Sequence, residues 1–153
     1  MQEFLQMESN ASPFIIWAFH PSVINATLKI TWSEKVEYVT NNADSIPSAG
    51  GVYEILGRKK TDGGYTRRYV GISDNLKEAY AKHFSTEESN EKLRQFLKEK
   101  KSFFRYIKIN SDQIRMDLEK GLYSKYRHSF IGNGKTPSGS GKYMKISVEE
   151  NNG

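Results

Sequence analysis

Two short β-forming runs, each closed by glycine, constrain this chain more than any other feature of its sequence. Gly50-Gly51 opens Val52-Tyr53-Glu54-Ile55-Leu56, Asp62-Gly63-Gly64 makes a turn, and Arg67-Arg68-Tyr69-Val70 leads into Gly71. Two such runs joined by a glycine turn predict an antiparallel hairpin.

Around the hairpin the pattern changes period. Ser73 or Asp74 can cap a helix running to about Phe84, and Ser89 a second running to about Lys101, with Leu93, Phe96 and Leu97 on one face. Residues 103–109 read as a strand. Ser111 or Asp112 starts a third helix, in which Ile114, Leu118, Leu122 and Tyr126 recur every fourth position as a buried stripe. Upstream, residues 1–12 are polar and are expected to fray, and residues 14–19 and 26–31 read as short strands. Ser33 predicts a helix from Glu34 that fades through Asn41 and Asn42 and stops before Pro47. From Gly132 to Lys142 the chain is mostly Gly, Ser, Pro and Lys, hence a loop, and residues 145–148 can add a last strand. There is no internal repeat. The expected class is α+β: a small sandwich with a three-stranded antiparallel or mixed sheet flanked by helices.

A length of 153 residues allows one core. The absence of cysteine excludes disulfide scaffolds, thiolate nucleophiles and thiolate-bound zinc, so a metal would sit on oxygen or imidazole. Residues 14–19 are too few to cross a bilayer, and no secretory leader is visible, so the expected location is the cytoplasm with no membrane partner. The formal net charge is +5, unevenly spread. Residues 57–108 hold fourteen Lys or Arg against seven acids, while residues 1–50 hold two against five. A basic middle segment attracts polyanions, of which phosphate backbones are the commonest, although a merely soluble lysine-rich surface explains the charge equally well.

The chemistry-bearing residues are spread over these elements. Gly51-Val52-Tyr53 lies on the first hairpin strand, Tyr69-Val70-Gly71 ends the second, and Asn75-Leu76 opens the next helix. His83 lies later on that helix and Glu119 on the last one. In this order the residues resemble the GIY-YIG nuclease family, whose members include phage homing endonucleases, some restriction enzymes and the incision subunit of bacterial excision repair. The resemblance covers about Ile46 to Asn133. It divides the chain into an N-terminal extension (1–45), a GIY-YIG-like domain (46–133) and a C-terminal loop with a possible strand (134–153).

The resemblance implies a metal-dependent DNA endonuclease. Tyr53 would sit beside the scissile phosphate and orient or deprotonate the attacking water, with Tyr69 in support. A phenol with a pKa of about 10 needs a cationic neighbour for that role. Glu119 would bind Mg²⁺ or Mn²⁺, a hard cation suited to one carboxylate plus water and phosphate oxygens. Without a metal, the plain reading is a carboxylate paired with Arg115 one turn earlier. His83 would contribute to proton transfer or phosphate binding, and Asn133 would tie down a loop near the site.

One position departs from the family. Ala79 stands where the resemblance places a catalytic arginine, on what is expected to be the exposed face of the first helix. Losing a positioned donor of that kind costs about 10² to 10³ in rate. The choice is between a natural pseudo-enzyme that kept nucleic-acid binding and an arginine-to-alanine replacement. Retention of Tyr53, Tyr69, His83 and Glu119 favours the replacement. Expected phosphate contacts are Arg58, Lys59 and Lys60 at the hairpin turn, Arg67 and Arg68 beside it, Lys77 and Lys82 on the first helix, and Lys98, Lys100 and Lys101 at the end of the second. Monomer and homodimer are both open.

Overall fold

The computed structural model describes residues 3–8, 14–20, 25–58, 64–82, 95, 97, 101–126, 137–141, 143 and 145–152. In chain order the elements are β1 (Glu3–Glu8), β2 (Phe14–His20), β3 (Asn25–Trp32), β4 (Val36–Glu37), a 3-10 turn (Thr40–Ser45), β5 (Gly51–Arg58), β6 (Tyr65–Ser73), α1 (Leu76–Lys82), β7 (Ser102–Lys108), α2 (Asp112–Tyr126) and β8 (Lys145–Asn152). They build two four-stranded sheets. One is antiparallel with strand order β4-β7-β5-β6; the other is mixed, with order β1-β2-β3-β8 and a parallel β3–β8 pair.

The predicted hairpin is β5–β6, and β7 pairs with the other edge of β5 to complete the expected three-stranded unit. Burial on both sides makes β5 its central strand, with Gly51 to Gly57 all buried. One face of this sheet packs Val52, Val70 and Ile107 against Leu118 and Leu122 of α2 and against Leu28, Ile30, Trp32 and Val148 of the second sheet. The opposite face packs Tyr53, Ile55 and Phe104 against Leu76, Ala79 and Tyr80 of α1 and against Tyr38 and Ile46.

Both helices begin at side-chain caps. Ser111 Oγ accepts the Ile114 amide at 3.3 Å, and Leu118 and Leu122 of the predicted stripe are fully buried while Ile114 and Tyr126 are partly so. At α1 the cap is Asn75, not Ser73 or Asp74. Asn75 Oδ1 accepts the Glu78 amide at 3.2 Å, while Ser73 Oγ accepts the Asn75 amide at 3.0 Å and so positions the cap from outside. Of the second predicted helix, Gln95 and Leu97 are helical and Lys101 is not, and the rest lies outside the described residues.

Two expectations are corrected. Residues 3–8 do not fray but form β1, paired antiparallel with β2. No helix follows Ser33: the Ser33 amide donates to the Tyr106 carbonyl at 2.9 Å, Ser33 Oγ accepts the Tyr106 amide at 2.9 Å, and Val36-Glu37 joins the edge of β7. The alternating Val36 and Tyr38 each have a hydrophobic neighbour to meet in this extended form, and burying Tyr38 outweighs the local helix signal. The strands expected at residues 26–31 and 145–148 form, as β3 and β8. They pair with one another and share the core of the hairpin sheet.

A buried ionic network joins the two sheets. Glu54, fully buried on β5, accepts from Arg105 Nη2 at 2.6 Å and from Arg67 Nε at 2.9 Å. Arg67 Nη2 reaches on to Glu150 of β8 at 2.7 Å, and Glu150 also accepts from Trp32 Nε1 at 2.9 Å and from the Tyr126 hydroxyl. The guanidinium of Arg67 lies over the Tyr126 ring at 3.7 Å and that of Arg105 over Trp32 at 4.4 Å. Removing one member of a buried pair strands the other charge, which typically costs about 3–5 kcal/mol. Glu54→Ala is therefore expected to lower unfolding stability by about that amount in guanidinium titrations. A loss under about 1 kcal/mol would show that the arginines escape to water instead.

Candidate active site

The site is assembled on the α1 face of the hairpin sheet, and its geometry explains both glycine-tyrosine tripeptides. Tyr53 and Gly71 are directly paired across β5 and β6. A Cβ on Gly71 would lie 2.5 Å from both Cζ and Oη of Tyr53, so the phenol crosses β6 where only a glycine leaves room. Gly51 is required for a different reason: a Cβ there would lie 2.1 Å from the Ile107 carbonyl oxygen and 2.8 Å from Leu76 Cδ1. These two close approaches bring β7 and α1 against β5 and set the Tyr53 ring flat on the sheet.

Tyr53 is 4% exposed and stacks on Phe104, with centroids 5.1 Å apart and an interplanar angle of 17°. The Tyr69 ring lies 6.0 Å from that of Tyr53, and the two phenols are hydrogen-bonded. Burial pushes the Tyr53 phenol well above its ordinary pKa, and Tyr69, Tyr38 and the Glu119 carboxylate push it further in the same direction. The Glu119 carboxylate is the smallest of these influences on Tyr53.

Glu119 is half-buried on α2, and burial alone raises its pKa to about 7. Among the described residues no hydrogen bond or ion pair relieves it. Arg115, the partner expected one turn earlier, points elsewhere: its guanidinium donates to the carbonyls of Ser73 at 2.9 Å and Asn110 at 3.1 Å and pairs with Asp112 at 2.9 Å. A partly desolvated carboxylate with no donor suits a hard cation that would complete its shell with water or phosphate oxygens. Among the described residues no group of three potential ligands gathers, so of these Glu119 alone would hold the ion.

Ala79 corrects the sequence reading of its helix face. It is 7% exposed, because capping at Asn75 turns Leu76, Ala79 and Tyr80 together onto the sheet. Position 79 consequently shares one packed cluster with Tyr53. Tyr38, hidden within the mispredicted helix, is a member of the site wall that sequence reasoning missed. Its hydroxyl donates to the Tyr80 carbonyl at 2.7 Å, its ring lies 5.4 Å from Phe104, and its field raises the Tyr53 pKa. The alternation Val36-Glu37-Tyr38 was the available signal.

The expected phosphate contacts separate into different classes. Arg58 and Lys82 are exposed. Lys77 is partly exposed and pairs with Asp44 at 3.2 Å. Arg68 is half-buried at a β-bulge, the extra residue between the pairs Ile55–Tyr69 and Leu56–Arg67. Arg67 is corrected: its guanidinium is committed to Glu54 and Glu150 on the opposite face from Tyr53, because the bulge reverses which residues of β6 face the site. His83, Lys59, Lys60, Lys98, Lys100 and Asn133 lie outside the described residues.

The Glu119 environment generates a pH prediction. Its folded pKa of about 7 exceeds the ordinary value of 4.5, so the protonated acid is the form the fold favours. Its contribution to stability is full below about pH 4.5 and is lost as pH rises through about 7. Glu119→Gln is expected to raise the melting temperature relative to the parent at pH 8 and to leave it nearly unchanged at pH 4.5. Equal differences at both pH values in thermal melts would contradict the assigned environment.

No family model matches. A 91-residue segment is 35% identical to the UvrABC system protein C of Bacteroides thetaiotaomicron, and an equally long one is 33% identical to that of Bacteroides fragilis in two strains. The segment makes up 60% of this chain but 14% of each relative, so the chain matches a small part of those proteins. Over that segment it is similar to UvrABC system protein C.

Proposed function

We propose that this chain is a metal-dependent DNA endonuclease of the GIY-YIG type, with its activity suppressed by alanine at position 79. The observation that carries the reading is the packing of the Tyr53 and Tyr69 phenols in one cluster with Ala79, supported by a half-buried Glu119 carboxylate that has no donor among the described residues. Similarity to UvrABC system protein C supports it, since the tyrosine motifs resemble the family that includes the excision-repair incision subunit.

The reaction is hydrolysis of a phosphodiester by in-line attack of water. Tyr53 orients the water, and Tyr69 fixes the Tyr53 hydroxyl through their hydrogen bond. Burial, Tyr69, Tyr38 and Glu119 all oppose a phenolate at Tyr53, so the site as it stands holds that phenol protonated. Proton removal there needs positive charge. A divalent ion at Glu119 would supply part of it and neutralise charge on the phosphate. An arginine at 79 would supply the rest. Its aliphatic stem would run along Leu76 and Tyr80, and its guanidinium would emerge beside Tyr53 to bind a non-bridging phosphate oxygen.

Ala79→Arg is expected to raise Mg²⁺-dependent nicking of DNA by about 10² to 10³. The assay is conversion of supercoiled plasmid, with branched and single-stranded DNA as further substrates. Glu119→Gln in that background should abolish the gain. Independently of activity, Mg²⁺ should raise the melting temperature of the parent at pH 8 and not that of Glu119→Gln. No nicking of any DNA by Ala79→Arg would refute the enzyme reading. The buried alanine favours one rival, a non-catalytic nucleic-acid-binding module on the same fold. That rival predicts salt-sensitive DNA binding with no cleavage even with the arginine in place.

A further inference from the structure

The far end of the hairpin carries a cluster that the site above does not use. Tyr65 opens β6, is paired with Arg58 and is 39% exposed. One exposed aromatic is ordinary. This one is braced. Phe103 of β7 meets it edge-on, with centroids 5.1 Å apart at 87°, and Lys35 Nζ stands 4.9 Å from its centroid. Lys101 Nζ lies 5.9 Å from the Phe103 ring, and Arg58 is exposed alongside. The acid paired with these cations is Glu37, 3.7 Å from Lys101 Nζ. Burial lowers the pKa of Lys35, the charges of Arg105 and Arg67 lower it further, and that of Glu54 raises it.

We propose that Tyr65 and Phe103 form a stacking platform for an unpaired nucleobase, with Lys35, Arg58 and Lys101 holding the adjoining phosphates. The proposal rests on the nucleic-acid reading above. Aromatic rings interleaved with cations are the chemistry that holds single strands, because every base has a π-face and every nucleotide a phosphate. The bulge at Arg68 adds a geometric reason. Tyr65 shares its face of β6 with Arg67, whereas Tyr69 faces Tyr53 on the other side. Four residues of strand separate Tyr65 from Tyr69, about 13 Å. Among the described residues β6 is the outer strand of its sheet. A nucleic-acid strand held at Tyr69 has to pass over that edge to reach Tyr65, which a displaced single strand can do and a stiff continuous duplex cannot.

The test is fluorescence anisotropy with a labelled single-stranded oligonucleotide and its duplex, using the chain with Ala79 so that neither is cut. Tyr65→Ala is expected to weaken single-strand binding about tenfold and duplex binding less than twofold. Tyr65→Phe should bind like the parent, and Tyr65→Leu, which keeps bulk without a π-face, should behave like Tyr65→Ala. A parent that binds single strands with Tyr65→Leu unchanged overturns the platform and leaves the nuclease reading standing, as does a parallel loss for single strand and duplex. Equal competition by polyglutamate reduces the patch to unspecific charge and overturns the platform as well. A parent that binds no DNA of any form overturns the platform and the nuclease reading together.

Discussion

Strand β5 is buried along both faces, and that constraint decides what each of its side chains must do. Neighbouring residues Tyr53 and Glu54 point to opposite sides, and neither can reach bulk water. A polar group in that position has to find a partner inside the protein. Glu54 finds Arg105 and Arg67, and through Arg67 the last strand of the second sheet. Tyr53 finds Tyr69 and lies across Gly71. The structural tie between the sheets and the candidate site are thus consecutive residues of one strand.

The site itself is built against negative charge. Burial, the Tyr69 and Tyr38 phenols and the Glu119 carboxylate all oppose a Tyr53 phenolate, and among the described residues Glu119 has no donor. Such an arrangement costs stability, and structures retain costs of this kind chiefly where chemistry uses them. Two devices would offset the cost: a divalent ion at Glu119 and a guanidinium at position 79. Ala79 itself is packed in the cluster that holds Tyr53.

Much of this was legible from residue order. The glycine turn, the β-rich flanks and the four-residue stripe of α2 are local patterns, and they appear in the structure as the hairpin and the helix seated on it. The tyrosines were singled out by motif, and the fold sets their rings 6.0 Å apart. Tyr38 was missed because Ser33-Glu34-Lys35 imitates a helix start, while extended pairing with β7 lets Tyr38 bury its ring. Arg67 was read as a surface cation because a bulge cannot be seen in a list of residues. One extra residue on β6 reverses its facing and sends the guanidinium into the interior.

The sequence by itself determined the elements whose causes are local: turns from glycine, the cap at Ser111, the buried stripe of α2 from periodicity, and the residue types able to handle a phosphate. Only the tertiary structure decided that β3 and β8, more than a hundred residues apart, lie side by side and close the core. It also decided that Glu119 is deprived of Arg115 and that position 79 lies beneath the tyrosines instead of facing water. The reason is physical. Pairing, burial and electric field depend on which distant surfaces meet, and no window along the chain contains both partners.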